Sequence, residues 1–283
     1  MRRVRTEVGS RRRAVIIAIG ILTSSICTGT TARAAETADE YKLDRSFIVR
    51  FGRDLRDVIS SPGHWDGRDF LTLAAVSGTG LFVFAFDQDV RVYTQDRFTP
   101  SLDKAASFFA FFGDGGVLLG MSAAVYAAGE IGNDVGLRKT AILSLESLVA
   151  ASILDWAIKL ISGRARPYTG ESSRSFHPFS FRNSNWSFPS GHAVASFAIA
   201  TTIAEQTKSP VVDILAYGLA ALAGISRIYE NKHWASDVFI GAALGHFVGQ
   251  KICDLNGPEK GSEISVGLDC AGGRRALTLK VAF

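Results

Sequence analysis

Apolar residues are concentrated in six long segments, separated by short connections that are rich in charge, glycine or proline. These segments cover residues 68–86, 105–128, 139–162, 192–206, 211–227 and 236–252. None alternates with the two-residue period of a half-buried strand, so the body of the chain is predicted to be all-α. No repeat at a fixed period is visible. We therefore expect a helical bundle of about six core helices over residues 68–252.

The C-terminal tail, residues 253–283, follows a different pattern. From Ile264 the apolar residues alternate loosely, and a second such run begins after Gly272-Gly273 and ends at Phe283. Two alternating runs around a glycine pair predict a short C-terminal β-hairpin. Two strands are too few to close a barrel, so we interpret the hairpin as a docking tail.

The relation of the six segments to a membrane is ambiguous from the sequence. Residues 71–86 form an uncharged run of 16 residues, just short of the length of about 20 that crosses a bilayer. Segment 139–162 is longer but contains Glu146, Asp155 and Lys159. Charged side chains are costly in lipid. The sequence therefore favours a domain that lies on a membrane over one that spans it.

The first 34 residues have the layout of a secretory signal peptide. An arginine-rich start is followed by an apolar run over residues 14–22 and by Ala32-Arg33-Ala34, a site typical of signal cleavage. Cleavage after Ala34 would leave a polar N-terminal segment over residues 35–67. The alternative is an uncleaved membrane anchor. In either case the sequence predicts an exported protein of the periplasm or cell envelope, and it leaves open whether the protein is membrane-associated or integral.

The positive charge of the chain belongs mainly to this first segment. Of 31 Lys and Arg residues, seven lie in residues 1–34, as does one of the 27 acidic residues. The remainder has 24 basic and 26 acidic residues, so the net charge of +4 becomes −2. A nucleic-acid partner is therefore not expected.

Two cysteines lie outside the first segment. Cys253 ends the last apolar segment and Cys270 falls in the tail. In an oxidising compartment such a pair forms a disulfide, but two separate thiols fit the sequence equally well.

Candidate chemistry begins at the junction of the fifth and sixth segments. His233 is followed four residues later by Asp237, a spacing that brings the two side chains together on a helical turn. A carboxylate at one ring nitrogen fixes the tautomer and leaves the other free to act as a nucleophile or base. Arg227, nearby, is a forked cation suited to phosphate. The alternative is a capping pair at a helix start.

Two further clusters lie at predicted helix ends. Ser190 and Gly191 open the fourth segment, where a capping hydroxyl, free backbone N–H groups and a glycine allow close approach of an anion. Lys159 lies in the last turn of the third segment and Arg166 follows it; alone, they could simply decorate a helix C-terminus, with Lys159 paired to Asp155. Segments 192–206 and 211–227 have similar lengths and are joined by a turn, so as an antiparallel pair they return Arg227 to His192.

These residues form three motifs that occur in a fixed order. The motifs are Lys159-x6-Arg166-Pro167, Pro189-Ser190-Gly191-His192 and Ser226-Arg227-x5-His233-x3-Asp237. Together they resemble the signature of the phosphatidic-acid phosphatase type 2 superfamily, which includes bacterial nonspecific acid phosphatases, lipid phosphate phosphatases and vanadium haloperoxidases. The resemblance covers about residues 68–252 and excludes the N-terminal segment and the hairpin.

The resemblance implies an acid or lipid phosphatase that needs no metal and no cofactor. His233 would attack phosphorus and form a phosphohistidine, Asp237 would orient its ring, and His192 would act as general acid and then as general base. Five groups would hold the phosphoryl oxygens: Lys159, Arg166, Ser190, Gly191 and Arg227.

The sequence says less about the substrate than about the reaction. After Tyr168, residues 169–188 contain five aromatic side chains next to the motifs, which fit either an apolar lip for a lipid tail or ordinary loop packing. Phosphatidate, a polyprenyl pyrophosphate, a lipid A phosphate and a small phosphoester all suit the motifs. Two alternative functions are a vanadium-dependent haloperoxidase and a noncatalytic envelope scaffold. His64, His177 and His246 are interpreted as structural.

Overall fold

The computed structural model describes residues 41–257, 264–271 and 274–281, and side chains over residues 41–257 alone. The predicted signal peptide and its cleavage after Ala34 lie outside the described residues, as does the Cys270 side chain of the possible disulfide.

Nine α-helices make up residues 41–257. They are α1 (Arg45–Ser60), α2 (Gly67–Ala85), α3 (Asp87–Gln95), α4 (Pro100–Ala110), α5 (Gly115–Ile131), α6 (Val135–Ser162), α7 (Gly191–Thr207), α8 (Pro210–Tyr229) and α9 (Ala235–Leu255). The mostly helical fold is confirmed, but the count of about six is wrong for two reasons. The segment 105–128 is broken at a short 3₁₀ turn, Phe111–Gly113, and the polar connections hold the additional helices α1 and α3.

The core forms where α7 packs against its neighbours. Leu143, Ala150, Val194, Val248 and Ile252 are all fully buried in one cluster, which joins α6, α7 and α9. Apolar residues of α1 cover this cluster from one side. Helix α1 was missed in the sequence because its apolar residues form a narrow stripe within a polar segment.

Glycines bring α9 unusually close to α7. A Cβ atom at Gly241 would lie 2.8 Å from the Ser190 carbonyl oxygen, and one at Gly249 would lie 2.6 Å from the Ala198 oxygen. Gly245, between them, would overlap the Val194 oxygen. A glycine every fourth residue therefore lets the two backbones touch. This contact fixes the start of α9 against the start of α7.

Three of the helices are long and apolar enough to cross a membrane. They are α2, α6 and α8, and α4 with α5 would form a fourth span if this pair, bent by 55°, is one crossing. On α2, Leu71, Leu81 and Phe82 are each about 70% exposed. Large apolar side chains on the surface of such a helix indicate contact with lipid. The chain therefore associates with a membrane.

Asp254–Phe283 forms a second compact unit. It contains two strands, β1 (Ile264–Ala271) and β2 (Arg274–Val281), which pair antiparallel with Ile264 opposite Val281. These are the two runs around Gly272-Gly273 for which the sequence predicts a hairpin.

Candidate active site

Four helix ends meet at one place: the C-terminal ends of α6 and α8 and the N-terminal ends of α7 and α9. The Ser190 N–H donates to the Asp237 carbonyl at 2.9 Å, which joins α7 to α9. The Lys159 ammonium group donates to the Pro189 carbonyl, which joins α6 to α7. The His233 N–H donates to the Arg227 carbonyl at 3.2 Å. The structure thus brings the three sequence motifs together.

The connection from α6 to α7 is anchored at a glycine. Gly163 ends α6 in the left-handed region, with φ 57°, and a Cβ there would overlap the His177 carbonyl. Farther along, the Trp234 indole N–H donates to the Ala165 carbonyl at 2.9 Å. A side chain at position 163 would therefore displace the loop that carries Arg164 and Arg166.

The ring of His233 is held by a backbone carbonyl. Its Nδ1 lies 2.7 Å from the Ser187 oxygen, and the side chain is 4% exposed. A carbonyl oxygen only accepts, so Nδ1 carries the proton and Nε2 has the free lone pair. Asp237 Oδ2 is 3.8 Å from Nδ1, too far for a hydrogen bond. The direct hydrogen bond to the ring is therefore the one to the Ser187 carbonyl, while Asp237 also accepts from the Ser187 hydroxyl and the Trp234 N–H; the orienting role of Asp237 stays a prediction.

Behind Asp237 lies a buried network that the sequence did not reveal. The Arg164 guanidinium donates to Asp237 and, at 2.6 Å, to Asp87 Oδ2. Asp87 also accepts from the Ser236 N–H at 2.9 Å and from its hydroxyl at 2.6 Å. All four side chains are 2% exposed or less. In the sequence, the closeness of Arg164 to Arg166 was a weak sign that Arg164 belongs to the site. Asp87 gave no such sign, because it is 149 residues from its partner Ser236.

Three buried hydrogen-bond donors of the site have no partner among residues 41–257. They are the Ser190 hydroxyl, Arg166 Nε and Arg227 Nε. Ser190 is fully buried and makes no side-chain cap to α7, which corrects the expected capping role. Each guanidinium is held at its other end, Arg227 by Glu230 at 2.6 Å and Arg166 by Asn183 at 3.1 Å. Buried polar groups are normally satisfied, so three unpaired donors at one site indicate a ligand with acceptor oxygens.

His192 faces the same region from the second residue of α7. Burial lowers its pKa from 6.5 to about 3, with the charges of Arg227 and His233 acting in the same direction. Burial also lowers the pKa of His233 to about 4, with Arg166 acting in the same direction and Asp237 opposing. Both imidazoles are therefore neutral at pH 7 in the unliganded site.

Lys159 forms the ion pair with Asp155 that the sequence analysis offered as one interpretation. Its ammonium group donates to Asp155, four residues earlier, as well as to the Pro189 carbonyl. A Cβ at Gly191 would lie 3.2 Å from Asp155 Oδ2 and 3.5 Å from Lys159 Nζ. Gly191 therefore leaves room for this ion pair beneath the first turn of α7. Asp155 is a further group of the site that the motifs do not include.

The site as a whole offers two neutral imidazoles, two guanidinium groups, one ammonium group and one unpaired hydroxyl. Such a set suits a tetrahedral oxyanion. Within the described part of the chain, no cluster of three or more His, Cys, Asp or Glu residues could hold a metal ion. Aromatic residues of the adjoining loop stay on the surface, with Phe179 and Phe181 67% and 74% exposed.

Comparison with known proteins supports the resemblance found in the sequence. Residues 140–253 match the model of the PAP2 superfamily. A lipid A 1-phosphatase of Rhizobium etli is 28% identical over 199 residues, which are 65% of this chain and 82% of the relative. One from Porphyromonas gingivalis is 47% identical over 66 residues, 23% of this chain, and the match spans only 15% of that relative's length.

Among solved structures, LpxE of Aquifex aeolicus aligns with 59% of this chain and 94% of its own, at 21% identity and a TM-score of 0.48. The family match over residues 140–253 encloses every motif residue from Lys159 to Asp237, so this part of the chain is similar to the PAP2 superfamily.

Proposed function

We propose that the chain is a metal-independent phosphatase that hydrolyses the phosphate or pyrophosphate of a membrane lipid. The observation that carries this proposal is the set of three unpaired buried donors beside two neutral imidazoles. The lipid A 1-phosphatases among its relatives make a phosphorylated glycolipid the first substrate to test. Polyprenyl pyrophosphates and phosphatidate present the same group to the site.

In the first step, Nε2 of His233 attacks phosphorus. The N–P bond forms, the P–O bond to the lipid breaks, and His192 protonates the leaving oxygen. The Ser187 carbonyl holds the attacking ring in the required tautomer. Arg166, Arg227 and Ser190 bind the phosphoryl oxygens, and the two guanidinium charges stabilise the transition state where a metal ion acts in other enzymes.

In the second step, His192 takes a proton from water as the water oxygen attacks phosphorus. The N–P bond breaks, and His233 and inorganic phosphate are released. His192 is neutral in the empty site, so the proton for the first step arrives with a substrate monoanion. The negative charge of the bound phosphate then favours its transfer to the imidazole.

We further propose that α2, α6 and α8 cross the membrane, as their length and composition allow. The catalytic groups lie at the ends of α6 to α9, so the site would face one surface of the bilayer. A lipid headgroup could then reach it without leaving the membrane.

The test is phosphate release by purified protein in detergent, with lipid A, undecaprenyl pyrophosphate, phosphatidate and p-nitrophenyl phosphate as substrates and EDTA throughout. His233→Ala should lower kcat at least about 1000-fold, since removal of a nucleophile eliminates the covalent path. His64→Ala, at an exposed histidine outside the site, is the matched control. In wild type, acid-labile radiolabel on His233 should be trapped from labelled substrate.

Near-full activity of His233→Ala would refute the nucleophile assignment. Loss of wild-type activity in EDTA, restored by a divalent metal, would refute metal independence. Bromide oxidation with vanadate and peroxide, without phosphate release, would favour the haloperoxidase. No turnover on any substrate would favour the noncatalytic scaffold.

A further inference from the structure

We propose that one alkyl chain of the substrate lies in an apolar cavity between α5, α7 and α8 that begins beside His192. The cavity has a volume of about 120 Å³. This inference rests on the proposed function and adds a chain-length specificity to it.

Helix α7 gives the cavity its direction. Ser196, Ile199 and Ile203 line it, and they follow His192 by four, seven and eleven residues. These spacings place all four residues on one face of the helix. The cavity therefore starts one turn below His192 and runs along α7 away from the phosphate site.

Helix α8 gives the distance from His192 to the residue Ala216 in the cavity lining. A Cβ at Gly113 would lie 2.9 Å from His192 Cβ and 3.2 Å from Ala223 Cβ, so Ala223 is level with His192. Ala216 lines the cavity and precedes Ala223 by seven residues, or about 10 Å along the helix. With C–C bonds of about 1.5 Å, an extended chain advances ~1.25 Å per carbon. A chain of about eight carbons would therefore reach Ala216.

The chemistry of the lining fits a hydrocarbon. Eleven of the twelve lining residues are apolar, and the hydroxyl of the twelfth, Ser196, donates to the His192 carbonyl at 2.7 Å. An apolar cavity of about 150 Å³ in another protein stays dry and binds benzene. A further cavity of about 40 Å³ lies beside this one and shares Leu118 and Ile199 with it. Each methylene that enters from water favours binding about fourfold.

A wider hollow of about 670 Å³ lies on α3 and α8, lined by residues such as Val90, Tyr93 and Ile225. It includes Asp89 and Thr94 but no residue of α7. The cavity that starts below His192 is therefore the better match to a chain whose phosphate is held by α7, and the hollow provides a control.

The experiment compares kcat/KM for butyl, hexyl, decyl and dodecyl phosphate at one detergent concentration. The kcat/KM of each variant is divided by that of wild type at the same chain length, so that the effect of substrate partition into micelles cancels. Ala216→Phe should lower the ratio of decyl to butyl activity at least tenfold, and Ala216→Leu should lower it less. Gly218→Leu, on the same helix where a Cβ meets nothing within 4 Å, and Val90→Phe should keep the wild-type ratio.

An unchanged decyl to butyl ratio in both Ala216 variants overturns the inference, as does a ratio that changes only in Val90→Phe. If Ala216→Phe loses activity at every chain length, the Ala216→Leu ratio decides. Butyl phosphate hydrolysis by wild type tests the proposed function separately. If wild type hydrolyses neither the alkyl phosphates nor any of the lipid substrates, the proposed function fails, and this inference fails with it.

Discussion

At the scale of single residues, the main feature is that two histidines are kept uncharged among cations. Burial lowers the pKa of His192 and of His233 to about 3 and about 4, and neighbouring guanidinium groups contribute to both shifts. A neutral His233 is ready to attack at any pH above about 4. A neutral His192 can accept a proton from water, but it has none to give until substrate brings one.

The neutral state of both histidines predicts the pH dependence of kcat/KM for an alkyl phosphate. Below about pH 4, protonation of His233 removes the attacking lone pair. Above about pH 6, a phosphate monoester loses its second proton, so the leaving oxygen lacks an acid. We expect a bell-shaped profile with a maximum near pH 5, measured between pH 3 and 8. An acidic limb at 6.5, the ordinary imidazole value, would contradict the neutral state of His233.

The motif spacing predicted which residues of the site come together, because each motif lies at the end of a long apolar segment. It did not predict the partners of the side chains. The Ser187 carbonyl that holds His233 belongs to a loop whose path depends on Gly163 and Trp234. A backbone acceptor of this kind has no side-chain signature, so local sequence could not reveal it.

At the scale of elements, α3 is joined to the site by the buried Asp87–Arg164–Asp237 network. Arg164 lies between two carboxylates, and Asp87 also fixes the start of α9 through both hydrogen bonds to Ser236. Breaking one partner of a buried ion pair is strongly destabilising. Asp87 is therefore a positioning residue, which acts on His233 through Arg164, Asp237 and Ser187.

Asp87→Asn should lower kcat about 10- to 100-fold with little change in KM, because a small displacement of the nucleophile costs rate more than binding. The midpoint of thermal unfolding should fall as well. Asp89→Asn, at an exposed position two residues along α3, is the control. A lower melting midpoint with unchanged kcat would assign Asp87 to stability alone.

The elements themselves were predictable where their apolar pattern is long. Helices α6 to α9 follow the predicted segments closely, whereas the segment 105–128 divides at Phe111–Gly113. The Asp114 side chain accepts from the Val117 N–H at 3.0 Å and caps a new helix there. The predicted segment 105–128 runs through Asp114, so this N-cap was not predicted.

At the scale of the whole molecule, the charges that argued against a membrane are buried within the protein or lie near a helix end. Glu146 is fully buried and pairs with Arg50 of α1 at 3.2 Å. Lys159 and Asp155 lie in the last two turns of α6, which at 28 residues is about 42 Å long and exceeds a hydrocarbon core of about 30 Å. Counting charges without their positions therefore underestimated the membrane character of the chain.

The end of α2 determines which face of the bilayer holds the site. Asp87 follows α2 by two residues and contacts Arg164 and Ser236. If α2 crosses the membrane, exposed residues before it and exposed residues of the site loop face opposite compartments. We test this with Ile48→Cys and Phe181→Cys in a cysteine-free background, in sealed right-side-out vesicles. An impermeant maleimide should label one of the two cysteines and leave the other unlabelled. Equal labelling of both positions would show that α2 does not cross.

If α2 crosses the membrane, the compartment that holds the residues before α2 determines the compartment into which phosphate is released. Export of the residues before α2 would release phosphate into the cytosol. Their retention in the cytosol would release phosphate on the opposite side of the membrane. The same maleimide experiment distinguishes these two topologies.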